Sequence, residues 1–135
     1  MPTPNELIAE ARTWLGTPFH PNQHVKFLGA DCVGLIYGIG AACGITFPER
    51  RTVYPMRPDG TLKPYLDKHL IMQTEAGPAD ILLMAFDSEP HHLALYTGST
   101  IIHSYVRVRK CIEQPMADIW WPKVCGIYRF RELAA

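Results

Sequence analysis

The sequence predicts an α+β domain in which N-terminal helices, one of them buried and bearing a cysteine, pack on an antiparallel β-sheet. Three observations carry this. A capped amphipathic segment opens the chain, a nearly all-apolar segment begins at Cys32, and four strand-length runs fill the second half. Helices first and strands afterwards is the order of an α+β chain with an antiparallel sheet. At 135 residues the length fits one domain covering residues 1–135.

Each element follows from its own signals. Thr3 can cap a helix, Pro4 suits its first position, and Glu6 completes a capping box. Leu7, Ile8, Ala11, Trp14 and Leu15 recur at the helical period and Gly16 stops it, giving about three turns. Residues 16–30 read as irregular, with Pro18, Pro21 and Gly29 among polar residues. From there Asp31 can cap a helix over Cys32 onward, apolar nearly all round and therefore central, which Gly44 can end. Gly34 and Gly38 share one face of it. Each costs about 1 kcal/mol against alanine, a cost tolerated where another backbone approaches closely.

Residues 45–79 hold Pro48, Pro55, Pro58, Pro64 and Pro78 and read as loop with one short helix near Pro64–Leu70. Ile81–Phe86, Leu93–Thr97, Ile101–Val106 and Val124–Phe130 are rich in β-branched and aromatic residues and separated by turn signals. Arg107–Ile112 is a candidate extension of the third strand.

Composition excludes several functions. Lys plus Arg is 13 and Asp plus Glu is 13, a formal net charge of +0, spread evenly along the chain. A general nucleic-acid binder needs a basic excess, and so does a polybasic membrane surface. Hydrophobic residues make up 47% and charged residues 19%, enough apolar surface to offset ordering entropy. No apolar run approaches bilayer length. Met1–Glu6 lacks a basic region and an apolar core, so synthesis in the cytoplasm without a signal peptide is expected.

Four cysteines remain: Cys32, Cys43, Cys111 and Cys125. None forms a CxxC pair, so neither a zinc site nor a thioredoxin-type motif is indicated. Most are expected to be small buried hydrophobes. Cys32 differs by position, because a helix N-terminus stabilises a thiolate, whereas Cys43 lies at the disfavoured end.

A thiolate nucleophile needs a histidine partner, and His20, His24, His69, His91, His92 and His103 are available. A hairpin turn at Gly98-Ser99 narrows the choice. Pairing Thr97 with Thr100 sets Ala94 opposite His103 and His92 opposite Tyr105. His92 and His103 then become diagonal neighbours on one face, within side-chain reach. A one-residue slip would separate them. A nucleophile, a base and an orienting group make a triad, here in the order Cys, His, His.

These residues also resemble a known family. Gly29-Ala30-Asp31-Cys32-Val33-Gly34-Leu35 is similar to the G-x-D-C-x-G-L signature of the NlpC/P60 cysteine peptidases. His92-Leu93-Ala94-Leu95-Tyr96 and Ile101-Ile102-His103-Ser104 resemble its two histidine segments, and Gly77–Leu82 the stretch that opens its first strand. Ala11–Phe19 is similar to the opening of the phage and gene-transfer-agent branch.

The resemblance implies a papain-like fold and a cysteine peptidase needing no cofactor. Cys32 would attack, His92 would carry the proton, and His103 would orient His92. The backbone N–H of Cys32 would contribute to the oxyanion hole. The implied substrate is the peptidoglycan stem peptide, commonly cut between D-γ-glutamate and the diamino acid. Asp31, Phe19 and Val33 are the expected substrate-binding residues. Asp31 could take a free amine or simply cap its helix. Val33 replaces a common serine and Phe19 a frequent tyrosine, which bears on specificity.

Other groups have plainer expectations. Asp80 is structural. Trp120 and Trp121 are core or interface residues more than sugar platforms. Tyr105–Lys110 is a strand with one solvated basic face. The residue spacing of Cys32, His91, His92 and His103 would permit a metal, but peptidase chemistry explains them without one. Nothing assigns His20 or His24 a role. The resulting expectation is a wall peptidase of phage or prophage type, acting on peptidoglycan and with phage tail proteins as candidate partners. The alternatives are a tail-assembly or tail-tip protein of little activity, and a cytoplasmic peptidase recycling stem peptides.

Overall fold

Thr3 accepts the Glu6 backbone N–H at 3.2 Å and opens α1 (Pro4–Arg12). Its hydroxyl satisfies one of the donors that a helix start leaves unpaired. The computed structural model describes residues 1–45, 60–86 and 89–133. α1 ends before its apolar pattern does. Trp14 stays buried in the turn that follows, but Leu15 is 37% exposed and lies off the core face expected for it. Gly16 then takes a φ of +88°.

Residues 16–30 are more ordered than the sequence suggests. β1 (His24–Val25) and β2 (Gly29–Ala30) form a small antiparallel hairpin. Two-residue strands are too short to show an alternation. The hairpin packs on α2 (Cys32–Ala42), which Asp31 caps through a 2.7 Å bond from the Gly34 N–H. Leu35, Ile36 and Ile39 bury α2 between α1 and the sheet. The two glycines have different reasons. A Cβ at Gly34 would overlap the Gln23 carbonyl oxygen, the backbone approach expected. One at Gly38 would instead strike the Trp14 ring.

α3 (Leu62–His69) sinks Leu62 and Leu66 into the same core and leads into β3 (Ile71–Met72). The loop expectation for Pro48, Pro55 and Pro58 lies outside the described residues. The remaining strands are β4 (Ile81–Met84), β5 (His92–Tyr96), β6 (Thr100–Tyr105), β7 (Lys110–Pro115) and β8 (Val124–Arg129). Their order is β3-β8-β4-β5-β6-β7, with every neighbour antiparallel. This is the α+β architecture expected.

Strand alternation divides the sheet's two faces. Ile81, Leu83, Leu93, Leu95 and Ile102 join the helices in the main core. Leu82, Met84, Ala94 and Ile101 form a second cluster on the opposite face, covered by Phe86, Trp120 and others.

One strand expectation is corrected. Arg107–Ile112 does not extend β6: the chain turns over 106–109, with Arg109 at φ +62°, and returns as β7, pairing Tyr105 with Lys110. Arg107 and Arg109 therefore sit in an exposed turn, not on a solvated strand face. Asp80 is structural, as expected. Fully buried, it accepts two bonds from Arg129, at 2.7 and 2.9 Å, and one from the Gly77 N–H.

Candidate active site

The β5–β6 hairpin has the expected register. Leu95 pairs with Ile102 and Tyr96 with Ile101, and the Thr97 N–H donates to the Thr100 carbonyl at 2.9 Å. Backbone pairing stops at Leu95, although β5 runs back to His92 and β6 on to Tyr105. Cys32 opens α2 at this parting of the strands. Its thiol donates to the His91 carbonyl oxygen at 3.7 Å, and the Leu93 N–H is directed at the sulfur. The sulfur thus meets β5 at the peptide groups on either side of His92.

His92 and His103 share the face of Ala94 and Ile101, opposite α2. His92 Nε2 and His103 Nδ1 lie 2.6 Å apart, in a pair that is 5% and 0% exposed. An aromatic wall surrounds them. Tyr105 stacks on His103 at 5.0 Å, Trp120 meets His103 edge-on at 5.8 Å, and Phe86 leans on His92 at 5.2 Å. Among the described residues the thiol makes no hydrogen bond to an imidazole, so Cys32 rests on the strand backbone rather than on its expected base.

The electrostatics at rest differ from the helix-terminus expectation. Burial, then the Asp31 carboxylate, pushes the Cys32 thiol up to about 12, against the N–H groups of Leu93, Val33 and Cys32 itself. Desolvation outweighs the helix N-terminus here. Burial, with His103 and His91 nearby, holds His92 well below 6.5. Burial also lowers His103 to about 4, opposed by Gln114 on the neighbouring strand, while His103 Nε2 has no hydrogen-bond partner. The resting site is therefore a neutral thiol beside two neutral imidazoles.

Position, not acidity, distinguishes Cys32 from the other thiols. Burial raises Cys43, Cys111 (to about 11) and Cys125 as well. Of the three expected packing residues, only Cys111 is fully buried. Cys43 is half-buried, and Cys125 is exposed on β8.

The expected substrate-binding residues lie around Cys32. Asp31 is buried, and both its oxygens serve the fold: one takes the Gly34 N–H and the other the Asn22 N–H, each at 2.7 Å. Phe19 and Val33 are half-buried. The segment carrying Phe19 runs beside that leading to Cys32, through bonds from Ala30 N to Pro18 O and from His20 N to Ala30 O. His20 is exposed, and His24 packs edge-on against Tyr37. Trp121 is 38% exposed against Tyr96, whereas Trp120 belongs to the wall around the histidines. Tyr105 and Phe86 are the site residues that the sequence reading missed. For Tyr105 the signal was present, because it lies two residues beyond His103 and so on the same face.

No group of three or more His, Cys, Asp or Glu among the described residues is arranged to hold a metal ion. None of the described helices is long and apolar enough to cross a membrane.

In sequence, no family model and no curated protein matches the chain. In structure it is similar to the NlpC/p60 domain of the peptidoglycan hydrolase SagA, with a TM-score of 0.66 and 19% identity, covering 95% of this chain and 99% of that one. It is also similar to NlpC2 of Trichomonas vaginalis, with a TM-score of 0.70 and 18% identity, covering 95% of this chain and 47% of that one. A third similar structure is RipD of Mycobacterium tuberculosis, with a TM-score of 0.63 and 16% identity, over 93% and 95% of the two chains. RipD is described as a non-catalytic NlpC/p60 domain protein adapted to peptidoglycan binding. The fold of this chain is the NlpC/P60 fold.

Proposed function

We propose that the protein is a cysteine peptidase that hydrolyses peptidoglycan stem peptides through Cys32, His92 and His103. The observation that carries this reading is the buried 2.6 Å contact between His92 Nε2 and His103 Nδ1, with the Cys32 thiol seated on the backbone flanking His92.

The 2.6 Å contact supports one arrangement of the protons. Because Nε2 of His92 is engaged by His103, Nδ1 is the nitrogen left to accept the thiol proton. His92 then donates through Nε2, so His103 accepts at Nδ1 and carries its own proton on Nε2. As the sulfur adds to the scissile carbonyl carbon, the proton on His92 passes to the leaving amine. Water then hydrolyses the thioester and restores the thiol. The Cys32 N–H, at the start of α2, is the expected oxyanion donor. The bond between D-γ-glutamate and the diamino acid is the proposed target, from the resemblance of the Cys32 and histidine segments. The likeness of Ala11–Phe19 to the phage branch supports a tail- or virion-borne enzyme meeting the wall after delivery.

A second reading has its own support. The thiol at about 12, bonded to a carbonyl rather than to an imidazole, suits a domain that binds stem peptides without cutting them, the property stated for RipD. A tail-tip structural role belongs to this reading. The test is digestion of purified sacculi and of free stem tetrapeptide, with Cys32→Ala as control. Release of new amino termini by the parent alone supports the peptidase. Cutting of the free peptide but not of sacculi points to recycling. Retention on sacculi without cleavage overturns the peptidase in favour of the binder.

A further inference from the structure

His103 presents an unsolved positioning problem. The ring is fully buried; its Nδ1 meets His92, Gln114 on β7 is its other polar neighbour, and Nε2 makes no close hydrogen bond. The terminal torsion of a histidine is broad, so one hydrogen bond does not fix the ring plane. Four rings lie close to Tyr105: His103 at 5.0 Å, His92 at 5.8 Å, Trp120 at 5.9 Å and Phe86 at 6.2 Å. Phe86 has no ring contact with His103, nor Trp120 with His92, so neither spans the pair among the described residues. The planes of Tyr105 and His103 differ by only 17°.

We propose that Tyr105 is the positioning residue of the histidine pair, its ring acting as the plate that holds His103 Nδ1 against His92 Nε2. The proposal deepens the triad reading above and rests on it. Only the face of the ring is used, so the hydroxyl is dispensable. The stack sets the plane of His103. The 2.6 Å contact then engages Nε2 of His92 and leaves its Nδ1 clear of His103. The other ionisable groups of the site are His91, just before β5, Cys32 at the start of α2 with Asp31 just before it, and Lys123 above the Phe86 ring. None of them stacks on His103.

The test compares Tyr105→Phe with Tyr105→Leu and Tyr105→Met, and uses Gln114→Ala as a control for the polar neighbour of His103. Two readouts avoid any dependence on the substrate: the nitrogen chemical shifts of the His92 and His103 rings, and the pH profile of Cys32 alkylation by iodoacetamide. Tyr105→Phe is expected to match the parent in both. Tyr105→Leu and Tyr105→Met are expected to lose the single-tautomer ring pattern and slow Cys32 alkylation near neutral pH by about twofold to tenfold, the worth of one aromatic pair. Parent-like ring shifts and an unchanged profile in whichever aliphatic variant folds would overturn the proposal. So would a loss seen in Gln114→Ala and not in the Tyr105 variants. If the parent cuts no peptidoglycan, the proposed function fails, while the ring shifts still decide the role of Tyr105.

Discussion

His92 Nε2 and His103 Nδ1 lie 2.6 Å apart, buried, on two strands whose backbone pairing has already stopped. The side chains thus hold the hairpin together at the level where its peptide groups no longer do. One of those released peptide groups, the His91 carbonyl, receives the Cys32 thiol. The opening of the sheet and the assembly of the candidate site are one structural event.

Removing any member of this unit is expected to cost activity non-additively. Cys32→Ala and His92→Ala should each lower stem-peptide cleavage by about 10³-fold or more, and the double variant scarcely further. His103→Ala should lose less, because it removes an orienting group and not a reacting one. Chromatographic quantification of released peptides checks the order. Losses that simply multiply in the double variant would separate Cys32 from His92.

Stability is expected to fall on both sides of a neutral plateau. Folding holds His103 at about 4 and His92 well below 6.5, so between those values and about 6.5 the unfolded chain binds more protons. Stability present above about pH 6.5 is therefore lost as pH falls towards about 4, by about 3 kcal/mol from His103 alone. Cys32 at about 12 and Cys111 at about 11 have the opposite sign relative to their ordinary 9.0. Their contribution is full below that value and lost as pH rises through the folded ones. Urea unfolding at about pH 5, 7.5 and 10 checks both limbs. His103→Leu should flatten the acid limb, and an unaltered slope there contradicts the assignment.

Asp31 couples the fold to the thiol. Asp31→Asn leaves an acceptor for the Gly34 N–H but sets a donor or an unpaired group against the Asn22 N–H. A loss of about 1 to 2 kcal/mol is expected. The same change removes the carboxylate that helps hold Cys32 protonated, so the thiol should titrate at lower pH. Thermal melting measures the first effect and pH-dependent alkylation the second. Alkylation unchanged in a folded variant would show that burial alone sets the thiol.

Gly34 and Gly38 are expected to respond unequally to alanine. At Gly34 the new methyl meets a backbone carbonyl, which cannot rotate aside; at Gly38 it meets the Trp14 ring. Overpacking costs about 1–3 kcal/mol and exceeds the helix-propensity gain of about 1 kcal/mol. Gly34→Ala should lie at the upper end and also disturb the Gln23–Asp31 segment beside Cys32. Chemical denaturation compares the two, and equal small losses would mean that the loop yields easily.

Much of this arrangement was legible in the chain. Thr3 and Asp31 announced their helices because capping is local, and the Gly98-Ser99 turn set the register that brings His92 and His103 together. What escaped was short or non-local. The two-residue strands at His24–Val25 and Gly29–Ala30 carry no periodicity. The return of Lys110–Pro115 as a separate strand depended on a left-handed residue at Arg109, which a basic, apolar-alternating sequence conceals.

The sequence by itself determined the helix caps, the strand alternation and the hairpin register, and so that His92 and His103 could meet and that Cys32 opens a helix. These are short-range consequences of backbone geometry and residue type. Only the tertiary structure decided the state of the groups. α2 brings the thiol to the parted edges of β5 and β6, where desolvation and Asp31 hold it protonated against the helix N-terminus, and Phe86 and Trp120, from outside the hairpin, close over the imidazoles beside Tyr105. Burial is a property of what surrounds a residue, and those surroundings come from distant segments.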